Sequence, residues 1–141
     1  MADTKPTLTP RALGKYVFLT NGDPIPDISL YCNTVRAFQY LMITHPDLSF
    51  AVNKACQFMA QPTTTHWLVI KRILRHLKGT LSHGISLYAS LRFDLHCYRN
   101  ANWASCPDDR CSIGGYCLFR SLNLVSWSLL KQKKSLEVMM N

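Results

Sequence analysis

Residues 44–79 read THPDLSFAVNKACQFMAQPTTTHWLVIKRILRHLKG, and the spacing of the apolar side chains in this stretch decides the first half of the fold. Leu48, Val52, Ala55 and Met59 recur at intervals of four, three and four, and Trp67, Ile70, Leu74 and Leu77 at three, four and three. Either spacing keeps one face of an α-helix apolar. The breaks are chemically marked. Pro46 suits the first turn of a new helix, Pro62 followed by Thr63, Thr64 and Thr65 supplies a stop and a cap, and Gly79 sits where a left-handed C-cap belongs. Just upstream, Tyr31, Val35, Phe38 and Met42 repeat the helical interval. Three amphipathic helices are therefore expected across residues 27–79, and connections this short favour helices that pack on one another.

Beyond Gly79 the period changes from helical to two. Leu91, Phe93, Leu95 and Cys97 alternate with Arg92, Asp94, His96 and Tyr98, the pattern of a strand with one buried face. Two further β-prone runs, residues 113–119 and 122–127, flank the polar pair Arg120-Ser121, which suits a tight hairpin connection. The simplest arrangement is an antiparallel three-stranded meander, giving an α+β chain overall. Residues 1–26 hold Pro6, Pro10, Pro24, Pro26 and the turn signal Asn21-Gly22-Asp23-Pro24, and read as a flexible arm. Residues 80–132 carry the meander, and residues 133–141 form a short basic tail with Lys133 and Lys134.

A chain of 141 residues leaves room for one domain or two small pieces. With 48% hydrophobic and 17% charged residues it belongs among globular proteins. No run approaches the roughly 18–20 apolar residues needed to span a bilayer, and the opening MADTKPTLTP has no apolar signal core, so a cytoplasmic or nuclear location and no membrane partner are the default expectations. In such a compartment the six cysteines are free thiols, and Cys106, Cys111 and Cys117, even with His96 and Cys97, match no zinc knuckle.

A formal charge of +8 directs attention to an anionic partner. The third helix carries the densest set of cations, Lys71, Arg72, Arg75 and Lys78, beside its apolar stripe, a face able to track a phosphate backbone. The alternative is an ordinary solvated helix face that happens to be basic. Catalytic groups are sparse. Asp108 and Asp109 lie in a Cys-Pro-Asp-Asp-Arg run that suits a turn, Asp47 sits where a helix dipole favours it, and Gly114-Gly115 lacks the remainder of a phosphate loop. Composition and spacing alone describe a basic α+β domain suited to nucleic acid.

The run from Thr44 to Leu87, together with Asn102-Trp103-Ala104, Cys106-Pro107-Asp108-Asp109-Arg110, Gly114-Gly115-Tyr116-Cys117 and Leu124-Val125-Ser126-Trp127-Ser128, resembles the Pol polyprotein of plant Ty1/copia-type retrotransposons. The resemblance spans about residues 31–132 and several motifs in fixed order. It implies that the helices correspond to the end of a reverse transcriptase and its connection, and the meander to the first three strands of an incomplete ribonuclease H-like fold. An RNA–DNA hybrid or a DNA backbone is the partner it implies, and Mg²⁺ is the metal of the intact family.

Departures from the family pattern bear on activity. Where the family's first ribonuclease H strand reads like YSDADWAGC, this chain reads Tyr98-Arg99-Asn100-Ala101-Asn102-Trp103-Ala104-Ser105-Cys106. The metal-binding aspartate of the family thus falls on Asn100, and its neighbour on Asn102. An amide offers a neutral oxygen where two Mg²⁺ ions, about 3.5–4 Å apart, require full negative charge. The family's next acid has no counterpart in the tail, where Glu137 falls elsewhere, so the resemblance implies a degenerate fragment without catalytic or metal-binding residues. Cys32, Arg36, His45, Asn100, Asn102, Ser105, Cys111 and Ile113 all differ from usual family residues by changes reachable through one C-to-T or G-to-A transition. That pattern implies decay by cytosine deamination, and intact relatives differing mainly by transversions would rule it out. Three strands without the rest of the fold would also leave a sheet edge open to self-association.

Overall fold

The computed structural model describes residues 4–11, 22–102 and 111–132. It contains three α-helices followed by a three-stranded antiparallel sheet, the α+β order expected from the sequence. The chain divides into two compact units, residues 1–85 and residues 86–141.

In the first unit, helix α1 spans Ile28–Leu41. The Asp27 carboxylate accepts from the Leu30 N–H at 2.8 Å, satisfying one of the donors a helix start leaves open. Tyr31, Val35 and Phe38 of the expected stripe are buried, while Met42, its fourth member, is the C-cap residue and half-buried. His45 ends the connection outside the helical region (φ −124°, ψ 77°), consistent with the bias of a residue before proline away from helix. Pro46 then opens a short 3₁₀ turn, Pro46–Leu48, which leads into α2, Ser49–Cys56. Leu48, Val52 and Ala55 are buried, and Met59 packs against them half-exposed.

Helix α3 spans Thr64–Gly79 and begins with a capping box in which histidine takes the usual glutamate or glutamine place. The Thr63 N–H donates to His66 Nδ1 at 2.9 Å. The ring is fully buried and stacked on Phe58, centroids 3.9 Å apart and planes 7° apart. The buried side of α3 is His66, Ile70, Ile73 and His76, whereas Trp67, Leu74 and Leu77 are half-buried, so the helix is rotated from its expected apolar stripe. Each inward histidine has a bonding partner, which is what allows it there. The left-handed cap expected at Gly79 is not formed. Thr80 closes the helix with φ −124°, its hydroxyl donating to the His76 carbonyl at 3.0 Å. Gly79 instead admits a close neighbour, since a Cβ there would lie 2.9 Å from Pro6 Cβ.

The core cluster comprises Tyr31, Val35, Phe38, Leu48, Ala51, Val52, Ala55, Phe58, Ile70 and Ile73. At its centre the Tyr31 hydroxyl donates to the Ala55 carbonyl at 2.9 Å. Burial, reinforced by the neighbouring Cys56 and Cys32, pushes the Tyr31 phenol well above its ordinary value of 10.0. Burial likewise raises the Cys56 thiol, against the lowering effect of the Gln39 hydrogen bond. Tyr31→Phe should therefore lower stability by about 1–2 kcal/mol in urea titrations at neutral pH. The pH signature has a definite sign. The unfolded phenol ionises above pH 10 while the folded one holds its proton, so stability falls as pH rises past 10, and Tyr31→Phe should flatten that fall.

Residues read as a flexible arm in the sequence are bonded to this unit where they are described. Thr64 N–H donates to the Asp23 carbonyl at 2.8 Å and Ile25 N–H to the Pro62 carbonyl at 3.2 Å, with Gly22 at φ +88° making the turn. Residues 4–11 lie along α3. Arg36 is exposed on α1.

In the second unit, β1 (Leu95–Asn102), β2 (Ile113–Arg120) and β3 (Asn123–Lys131) pair antiparallel in the order β1-β2-β3. The first strand lies four residues later than the alternation suggested and is exposed along its whole length, so the expected buried face of Leu91, Phe93, Leu95 and Cys97 is absent. The ladder with β2 positions this strand: Leu95 pairs with Arg120 and Asn102 with Ile113. Tyr98 meets Phe119 edge-on at 5.8 Å, a diagonal cross-strand pair. Ser121 turns the β2–β3 hairpin at φ +54°, a conformation uncommon outside glycine. Its N–H donates to the Asp94 carbonyl at 2.7 Å and its hydroxyl to the Arg92 carbonyl at 2.8 Å, which hold it there.

Candidate nucleic-acid interface

At 100° per residue, Lys71, Arg72, Arg75 and Lys78 fall within an arc of about 120° on α3, so the helix gathers all four on one side. They are not equivalent. Lys71 and Lys78 are exposed, whereas Arg72 and Arg75 are half-buried. The Nε–H groups of both arginines are buried without a hydrogen-bond partner.

Residues 4–11 run antiparallel to this helix. The Lys78 ammonium donates to the Thr4 carbonyl at 3.1 Å, and Arg72 Nη2 donates to Thr9 Oγ1 at 3.1 Å. Thr7 N–H donates to the Arg75 carbonyl at 3.4 Å. His76 completes the attachment: Nε2 lies 2.7 Å from Asp47 Oδ2, and Nδ1 lies 3.1 Å from the Thr7 carbonyl. Asp47, expected to favour a helix dipole, ties the 3₁₀ turn ahead of α2 to α3. The spacing His66, Ile70, Ile73, His76 carried the signal for these histidines, which hydrophobicity alone overlooks.

Asn100 and Asn102 lie on the same face of β1, two residues apart, paired with Gly115 and Ile113. Both are exposed. Asp94 is the one carboxylate among the described residues of this unit, and six extended residues separate it from Asn100 by about 20 Å. Among the described residues no group of three or more His, Cys, Asp or Glu side chains is placed to hold a metal ion. The five described cysteines, Cys32, Cys56, Cys97, Cys111 and Cys117, are free. No described helix is long and apolar enough to cross a membrane. Cys106, Asp108 and Asp109 of the turn motif, and Lys133, Lys134 and Glu137 of the tail, lie outside the described residues.

Comparison with known proteins finds extended similarity. Over 133 residues, 94% of the chain, it is 43% identical to the retrovirus-related Pol polyprotein from transposon RE2 of Arabidopsis thaliana, and it spans 9% of that protein. It is 31% identical over 140 residues to the corresponding polyprotein from transposon TNT 1-94 of Nicotiana tabacum, spanning 10% of it. An uncharacterised mitochondrial protein of Arabidopsis thaliana is 37% identical over 97 residues, which cover 69% of this chain and 84% of that one. No family model matches, and no solved structure matches. The chain therefore spans about a tenth of the transposon polyproteins it matches.

Proposed function

Since the chain belongs to the retrovirus-related Pol polyproteins of copia-type plant transposons, we propose that it is a degenerate segment of their reverse transcriptase and ribonuclease H region that lacks catalytic activity. The observation that carries this reading is Asn100. A neutral amide stands on the exposed face of β1 at the position where the family resemblance calls for a metal-binding carboxylate. Asn102 repeats the exchange on the same face. Neither side chain can supply the charge that a two-ion hydrolysis needs. Purified chain incubated with an RNA–DNA hybrid and Mg²⁺ should leave the hybrid intact. Cleavage that disappears in the Asn100→Ala variant would overturn the reading.

A second reading, retained binding of nucleic acid, is favoured by the clustering of four cations on one side of α3. Phosphate contacts by all four would release counterions and give a log–log salt slope of about −3.6. Lys71→Ala should bring that slope to about −2.7, measured by fluorescence anisotropy on a DNA duplex. A slope near zero in the unaltered chain removes this reading. Association through the open edges of the sheet is a third expectation, checked by sedimentation across a concentration series.

A further inference from the structure

Two of the four cations of α3, Arg72 and Lys78, are already engaged by the chain itself. Thr4 meets the Lys78 ammonium, Thr7 meets the Arg75 backbone carbonyl and the His76 ring, and Thr9 meets the Arg72 guanidinium, so one segment follows the helix over nearly two turns. Resting on the nucleic-acid reading above, we propose that residues 4–11 are an intramolecular competitor for that helix face, displaced when a phosphate backbone binds.

Three observations support displacement. The segment offers only neutral acceptors, two carbonyls and a hydroxyl, to donors that bond charged phosphate oxygens more strongly. Its own sequence, Thr4-Lys5-Pro6-Thr7-Leu8-Thr9-Pro10-Arg11, holds no acid to attract the basic helix, and its Arg11 is stacked over the Phe50 ring of α2, 4.5 Å from the centroid, instead of meeting α3. The attached arrangement also leaves Arg72 Nε–H and Arg75 Nε–H desolvated and unpaired. Each feature weakens the attached state relative to one in which a polyanion lies on the helix. Once free, Lys5 and Arg11 can add phosphate contacts of their own.

The attachment has a steric weak point. A Cβ at Gly79 would sit 2.9 Å from Pro6 Cβ, too close for both to remain. Gly79→Ala therefore wedges the segment away while favouring the helix that carries the cations. Thr7→Pro is the second variant, deleting the N–H that bonds the Arg75 carbonyl without touching the helix.

The test uses the full chain, a fluorescent DNA duplex at low salt, and amide exchange of residues 4–11. Gly79→Ala should exchange faster there, and both variants should bind about tenfold more tightly, because binding no longer waits on a minor open state. Faster exchange in Gly79→Ala with unchanged affinity in both variants overturns the competitor and leaves the binding reading standing. Unchanged exchange in Gly79→Ala also overturns it, since the segment would not be held at these contacts. If neither the unaltered chain nor either variant binds with a salt slope, the binding reading falls and the competitor with it.

Discussion

Replacing Phe58 by alanine should remove about 3–5 kcal/mol of stability from the helical unit. The ring is 1% exposed and belongs to the core that joins all three helices. It is also the platform for His66, stacked at 3.9 Å, and carries the Lys54 ammonium 5.0 Å above its centroid. Loss of the ring opens a cavity and frees the imidazole that holds the start of α3. His66→Ala should cost less, about 2–3 kcal/mol, mostly from leaving the Thr63 N–H without its acceptor. His66→Gln restores a capping-box acceptor and should recover part of that loss, though not the stack. A double-mutant cycle between Phe58→Ala and His66→Ala should show coupling of about 0.5–1.5 kcal/mol. Urea denaturation followed by helical circular dichroism measures all of these. A loss below about 1 kcal/mol for Phe58→Ala would show that the ring is not part of a packed core.

Gly22→Ala should lower stability by about 2 kcal/mol or more. The backbone there has φ +88°, a region that disfavours any residue with a Cβ. The new methyl would also lie 2.6 Å from Thr65 Oγ1 and 2.8 Å from Thr64 Oγ1. Relieving the overlap would pull the Asp23 carbonyl from the Thr64 N–H and expose the first turn of α3. Gly84 is the internal control, because nothing lies within 4 Å of a Cβ there. Gly84→Ala should leave stability within about 0.5 kcal/mol of the parent. Equal effects at the two glycines would mean that the turn at Gly22 does not brace the helix.

The helices were legible because their apolar residues repeat at helical intervals and their ends carry specific chemistry. Tyr31, Val35 and Phe38 face inward as the spacing requires, and Pro46 and Thr63 mark real helix starts. The rotation of α3 was not legible from hydrophobicity, because His66 and His76 are polar and reach the interior only through bonds to Thr63, Asp47 and Thr7. The first strand was misplaced for a related reason. Alternation locates a strand when one face is buried, but here no face of β1 is, and pairing with β2 alone determines where it begins. The four cations of α3 in the first unit and the two amides of β1 in the second are each legible in the sequence. The sequence does not reveal that Thr4, Thr7 and Thr9 bond along the helix, since such contacts use backbone carbonyls and hydroxyls that carry no sequence pattern.

Every member of the main core cluster lies between Tyr31 and Ile73, in the earlier part of the chain, while the residues of β1 remain bathed in solvent. During translation, therefore, the side chains of this cluster emerge before the sheet has been synthesised. Domains generally mature from the N-terminal side as the ribosome advances. The helical half can thus acquire its packing while the strands are still being made, which spares it competition from their sticky apolar side chains.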